Sequence, residues 1–244
     1  MSRHRLFVLQ DLKKNQQVIL DSEQAHYLRT VMRLSVGDCI TLFNGDGAEY
    51  EAELHRLHKA EAGCTVKSCL EVETELSVGV HLIQCSNRSD RIETMLQKTT
   101  ELGVASIQVS NSERSALKLN TNKLEQRMDR WQKIVVEASE QSQRVLVPEV
   151  CWRSRLNQVD IQGKGFILHP EAGVEQWAQF QACVVAGETV TLCIGPEGGW
   201  SLSDIAILED LSCERLAFGA RIMRTETAGP ALMAAVQAII LSCG

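Results

Sequence analysis

The chain has 244 residues, 44% of them hydrophobic and 23% charged, with a net charge of −6. This is the composition of an ordinary globular protein, long enough for one large or two modest domains, and it excludes a disordered or fibrous chain. The acidic balance argues against a general nucleic-acid binder, and no run reaches the ~18 apolar residues that span a bilayer.

Residues 1–70 read as a small, mostly β unit. Ser22 is predicted to cap a helix running to about Leu34, with Ala25, Leu28 and Val31 on one face. Cys39–Phe43 and Ala48–Leu54 flank the turn-forming Asn44–Gly47, and the second run alternates apolar and acidic residues. That pattern predicts a hairpin with one wet face. Another strand is expected over Gly63–Leu70, then an acidic connection, Glu71–Glu75. From about residue 77 the rhythm becomes strand-then-helix. Val78–Cys85 predicts a strand, and Asp90–Leu102 carries a helical stripe of Ile92, Met95, Leu96, Thr99 and Leu102 that ends at Gly103. A short strand, Ser106–Val109, precedes a long helix from Leu124 through Ala138. Strands follow at Gly165–Leu168, Val190–Ile194 and Arg215–Phe218, and Ala231–Cys243 reads as a buried or interface helix behind Pro230. Such alternation predicts an α/β fold with a largely parallel sheet covered by helices.

Charge is unevenly spread. Residues 1–33 carry a net +3 and residues 34–80 a net −6, while residues 81–150 and 151–244 carry +1 and −4. A local basic footprint can bind phosphates on an acidic whole. The nine cysteines are scattered, with no Cys-x-x-Cys pair, and Met1–Leu9 lacks an apolar secretory core. Both features lead to the expectation of reduced thiols in a cytoplasmic protein.

Two segments near the C-terminus concentrate the chemistry. The first, Ile194–Trp200, combines Pro196 with Gly195, Gly198 and Gly199, so that a ligand can approach bare backbone. Ser201 and Asp204 follow it as a capping box that opens a helix. The second, Phe218–Ala228, packs Arg221, Arg224, Thr225, Glu226 and Thr227 between an apolar strand and an apolar helix. Thr227 is its expected N-cap, which would place Pro230 in the first helical turn. Loops at the carboxyl ends of strands are where an open α/β sheet holds its ligand. A P-loop and a first Gly-x-Gly-x-x-Gly are absent, as is a Gly-x-Ser-x-Gly elbow. His55 and His58 have no further ligand set, so no metal site is expected.

Further segments carry a family likeness: Gln97-Lys98 with Glu101–Val104, Arg130–Ile134 running on to Glu137–Ser142, Arg144, Pro148, and the two loops. In order and spacing the chain resembles the small-subunit ribosomal RNA uridine-N3 methyltransferases, the RsmE family of the SPOUT superfamily. Departures at Thr99, Asp204, Phe218 and Met223 preserve size or charge. The resemblance implies a PUA-like RNA-binding β-barrel over residues 1–72 and a trefoil-knotted SPOUT domain over residues 73–244. It also implies S-adenosylmethionine as methyl donor, 16S ribosomal RNA or the small subunit as partner, and a homodimer with its active site near the interface.

Under that resemblance the implied cofactor set is Leu168, Ile194, Gly195, Pro196, Glu197, Gly198, Gly199, Leu216, Phe218, Gly219, Ile222, Met223 and Thr225. Arg224 is the candidate to stabilise a uracil N3 anion through the ring carbonyls; the alternative is a salt bridge that holds the loop. Glu226 is a candidate proton acceptor or a structural partner of Arg221 or Arg224, and Glu197 is a weaker one. The general base stays open. RNA contacts are expected from Arg3, His4, Arg5, Arg29 and Arg33 on the small unit, and from Arg88, Arg91, Lys98, Arg114, Arg144 and Arg221 beyond it. Other readings are a non-catalytic RNA-binding assembly factor of the same fold, or a SPOUT methyltransferase acting on another RNA.

Overall fold

The computed structural model describes residues 4–115, 121–173 and 175–243. The chain divides into two compact units. One takes in the chain up to Glu75 together with Ser139–Val147; the other is Leu76–Ala138 with Pro148–Gly244.

The first unit is a five-stranded sheet. Its strands are β1 (Arg5–Phe7), β2 (Gln17–Leu20), β3 (Cys39–Phe43), β4 (Ala48–Leu57) and β5 (Ala62–Glu71), in the order β1-β3-β4-β5-β2. The expected hairpin is β3 with β4, aligned so that Leu42 faces Tyr50. Leu6, Val18, Ile40, Leu54 and Val66, drawn from all five strands, share one core cluster with Ala25 and Leu28. A sheet whose two edge strands feed one core must curl around it. The wet face of β4 is only partly wet, because Glu49 is buried opposite Arg5 at 3.4 Å.

Helix α1 (Ser22–His26) starts one residue earlier than expected. Asp21 is its cap: its carboxylate accepts from the Gln24 amide at 2.9 Å, and the Gln24 side chain accepts from Asp21 N–H at 3.2 Å. Residues Tyr27–Val31 then open into a wider π turn, with Met32 N–H donating to the Tyr27 carbonyl at 3.0 Å. The extra residue in that turn rotates the stripe, so Val31 is 59% exposed instead of facing inward with Ala25 and Leu28. Ser139–Val147 returns to this unit, beyond the residues 1–72 expected for it. There Arg144 binds Glu75 at 2.6 Å, and its carbonyl accepts from the Arg5 guanidinium at 2.8 Å. Phe7 N–H donates to Glu140 at 2.8 Å.

The second unit is a six-stranded parallel sheet. It comprises β6 (Val80–Cys85), β7 (Ser106–Ser110), β8 (Glu149–Arg153), β9 (Lys164–Leu168), β10 (Val190–Ile194) and β11 (Glu214–Leu216), in the order β11-β9-β10-β6-β7-β8. Every residue of β10 is buried, the mark of a strand covered on both faces. Helices α2 (Ser89–Glu101), α3 (Thr121–Ser142), α4 (Glu175–Val185), α5 (Leu202–Asp210) and α6 (Thr225–Cys243) complete the chain. On one face, Leu208 of α5 meets Ile83, Ile167 and Cys193. Helix α6 packs on α2, α4, β6 and β10. At 19 residues α6 is long and apolar enough to cross a membrane by length and composition, whereas the sequence offered only the shorter run behind Pro230. One side of it, Thr225, Ala228, Gly229, Leu232, Met233, Val236 and Ile239, is buried within this unit. Strands β1, β2 and β8 and helix α4 are additions to the expected elements.

Candidate active site at the carboxyl ends of the parallel strands

Leu168, Ile194 and Leu216 end three neighbouring strands: Leu168 aligns with Leu216, and β10 lies between β9 and β6. The first loop leaves β10 at Gly195 and turns through a Gly199 N–H bond to the Pro196 carbonyl at 3.0 Å. Gly199 has φ +69°, which a branched side chain resists. At Gly198 the demand is different. Its φ is ordinary, but a Cβ there would come within 3.2 Å of Arg114 Cβ and 3.3 Å of the Arg114 carbonyl. The glycine therefore makes room for this protein's own loop after β7. Trp200 folds back so that its indole N–H donates to the Leu168 carbonyl at 3.0 Å. The capping box forms as expected, with Ser201 accepting from the Asp204 amide at 3.1 Å. Asp204 also accepts from Glu113 N–H at 3.1 Å, and the hydroxyls of Ser203 and Ser201 hold the Glu113 carboxyl below its usual range.

The second loop is built differently. Among the described residues, 217–223 make no hydrogen bond. Phe218 anchors it by stacking on Trp177 at 5.2 Å, and Trp177 packs in turn on Phe180 at 5.3 Å. Gly219 has φ +73°, and a Cβ there would meet nothing within 4 Å, so backbone conformation and not space demands glycine. Met223 is half-buried; Arg221, Ile222 and Arg224 are exposed, Ile222 at 87%. Helix α6 begins at Thr225, two residues before the expected cap, with Thr227 and Ala228 N–H donating to the Arg224 carbonyl at 2.9 and 3.0 Å. Pro230 thus falls past the first turn.

Among the described residues, neither Arg221 nor Arg224 makes an ion pair. Glu226 is paired with Arg91 of α2 at 3.7 Å, so neither expected partner, Arg221 or Arg224, holds it; its Oε2 is buried without a partner. Thr225 spans the two loops by donating to the Gly195 carbonyl at 2.7 Å. The residues missed by sequence are Gln84, which donates to the Thr225 hydroxyl at 2.8 Å, and Trp177. A glutamine next to the end of the mostly apolar run Val80–Cys85 is the signal the sequence carries for Gln84.

The basic residues differ in burial and in partners. Arg3 lies outside the described residues. Arg5 and Arg144 are corrections: both are buried in ion pairs of the first unit, where desolvation makes pairing obligatory, so they are not surface contacts. Arg91 is committed to Glu226 and Lys98 to Glu101 at 2.9 Å. His4 and Arg29 are half-buried, Arg114 leans on the Gly198 carbonyl at 3.4 Å, and Arg33 and Arg88 are exposed.

Whether the site fits a nucleoside sulfonium is decided by its lining. Leu168 is half-buried at its strand end and the backbone groups of 217–223 are free among the described residues, which suits a neutral purine and ribose, while Ile194 and Leu216 lie buried in the sheet core. Exposed guanidinium groups stand on the same loop for an anionic partner. Among the described residues no cluster could hold a metal ion. Fold and site together define a SPOUT-type α/β nucleoside-binding domain joined to a small PUA-type β unit.

Comparison with known proteins agrees. Residues 74–237 match the RNA methyltransferase domain family, and residues 20–62 match the RNA methyltransferase PUA domain. Ribosomal RNA small subunit methyltransferase E of Bacillus subtilis is 30% identical over 86% of this chain and 85% of its own length. A methyltransferase of Legionella pneumophila, solved with bound SAM, superposes with TM-score 0.88 at 31% identity, covering 98% of both chains. Ribosomal RNA small subunit methyltransferase E of Neisseria gonorrhoeae, bound to S-adenosyl methionine, superposes with TM-score 0.84 at 30% identity, over 97% of this chain and 98% of that one. The chain belongs to the ribosomal RNA small subunit methyltransferase E family.

Proposed function

We propose that this protein transfers the methyl group of S-adenosylmethionine to N3 of a uridine in 16S ribosomal RNA, as a cytoplasmic homodimer. The observation that carries this reading is the likeness, across 97% of the chain, to the Neisseria enzyme solved with that cofactor. The strand ends Leu168, Ile194 and Leu216 and the loops Gly195–Gly199 and Phe218–Thr225 would hold the cofactor. When bound, it supplies an electrophilic sulfonium methyl. The residues of the chain then have a positional task, since orientation alone can lower a transfer barrier by several kcal/mol, roughly 7–11 for well-aligned groups. Arg224, exposed and without an ion pair among the described residues, is proposed to draw the charge of the deprotonated ring onto its carbonyl oxygens. Glu226 has one oxygen engaged by Arg91 and the other without a partner, which makes it the acceptor proposed for the N3 proton. Arg33, Arg88 and Arg221, exposed and without ion pairs among the described residues, are the cations proposed to meet RNA phosphates.

The dimer reading rests on α6. Leu232, Met233, Val236 and Ile239 are buried within the chain, while Ala234, Ala238 and Leu241 are exposed, Leu241 at 74%. An apolar face of this kind on a helix buried along its other side suits a two-fold contact with its own copy.

Mass mapping of 16S RNA from a deletion strain is expected to reveal one missing uridine methyl group, restored by the wild-type gene. Arg224→Ala is expected to bind S-adenosylmethionine as tightly as wild type, yet to lower kcat about a hundredfold. An unaltered RNA mass map in the deletion strain would favour the non-catalytic assembly factor.

A further inference from the structure

Gln84 is the penultimate residue of β6 and is 2% exposed. A polar side chain inside a parallel sheet needs partners. Its amide nitrogen donates twice, to the Cys85 carbonyl at 3.1 Å and to the Thr225 hydroxyl at 2.8 Å, while its amide oxygen is buried with no donor. An amide nitrogen can only donate, so the Thr225 oxygen must accept there. The hydroxyl proton then goes onward to the Gly195 carbonyl at 2.7 Å. The direction of the chain is fixed from its first member: amide to hydroxyl to carbonyl.

Gly195 is held from its other side as well. A Cβ on it would meet the Trp200 indole at 3.0 Å, and that indole donates to the Leu168 carbonyl at 3.0 Å. The carboxyl ends of β6, β9 and β10 and the first turn of α6 are thereby joined at one glycine. Without Gln84, the Thr225 hydroxyl loses the donor that sets its rotation. The glycine loop then loses its only side-chain anchor toward α6 among the described residues.

We propose that Gln84 is a positioning residue: acting through the Thr225 hydroxyl, it fixes the Gly195–Gly199 loop in the conformation that receives the methyl donor. This rests on the reading of the chain as an S-adenosylmethionine-dependent enzyme. Gln84→Glu is the diagnostic substitution, since it keeps the shape of the side chain but replaces the donor with an acceptor. The Thr225 hydroxyl then turns back to residue 84 and releases Gly195. Gln84→Met removes the donor without adding charge.

The test uses amide hydrogen exchange of the full chain without cofactor, and calorimetric titration with S-adenosylmethionine. It compares wild type, Gln84→Glu, Gln84→Met, Thr225→Val and the Gln84→Met/Thr225→Val double variant. Exchange over residues 195–200 is expected to quicken about tenfold in each variant, and the cofactor Kd to rise about tenfold, the scale of one hydrogen bond. Exchange in β7 is expected to stay as in wild type. The double variant is expected to lose no more than either single one, because both break the same chain. Additive losses overturn the proposal, as do unchanged exchange over 195–200 or loss of protection that extends to β7. Wild type that fails to bind S-adenosylmethionine at all overturns the functional reading itself; wild type that binds beside variants unchanged in both measurements overturns only the role of Gln84.

Discussion

Arg5 shows how little residue type alone says about a cation's task. Its guanidinium lies 4.7 Å over the Phe43 ring, 3.4 Å from Glu49 and within a hydrogen bond of the Arg144 carbonyl. Its partners come from β3, β4 and a segment some 139 residues away in sequence. Arg5→Ala would take the guanidinium away from the buried Glu49 carboxylate, the Arg144 carbonyl and the Phe43 ring, at a cost of about 1–3 kcal/mol. Urea unfolding is expected to show that loss as a lower midpoint; a midpoint within error of wild type would mean that the pair is not a fixed part of the fold. The salt dependence of RNA binding therefore has to be read from exposed cations such as Arg33 and Arg88. Glu226 makes the same point in the second unit: its position beside Arg224 in sequence suggested that partner, but one residue of helical geometry turns it to Arg91 of α2.

At the scale of elements, α6 has a buried face and an exposed face. The inward stripe of Leu232, Val236 and Ile239 follows the spacing of a helix packed on a sheet. The outward stripe of Ala234, Ala238 and Leu241 is what a second copy would cover. Ala235, only half-buried, straddles the two. Ala234→Glu is therefore the cleaner probe, with the charge placed in water if no partner is present. It is expected to yield a folded monomer by sedimentation and circular dichroism, with methyl transfer lost. A folded, fully active monomer would remove the interface from the catalytic account. The helix starts at Thr225 because the Arg224 carbonyl accepts two amide bonds there, and this placement leaves the Arg224 side chain outside the helix. A cap at Thr227 would have carried Arg224 back into the loop.

Over the whole molecule, the nine cysteines are all free. Burial pushes the Cys64 thiol up to about 12 and raises the Cys85 thiol as well, and Cys193 is raised by its hydrogen bond with Cys213 and by burial. A raised thiol stays protonated and unreactive at ordinary pH. Brief alkylation at pH 8 followed by peptide mapping is expected to label Cys39, Cys69 and Cys243, which are exposed, and to spare Cys64, Cys85 and Cys193 until urea is added. Labelling of Cys193 in the folded protein would contradict the packed core of β10. The alternation of strands and helices, the two loops at the strand ends and the family likeness are legible along the chain, because periodicity, glycine, proline and motif order are local properties. Which cations are buried, how Ser139–Val147 returns to the first unit, and that Gln84 reaches Thr225 and Gly195 emerge on folding. Those are pairings between residues far apart in sequence, and desolvation and hydrogen-bond geometry act on them only after the chain has folded.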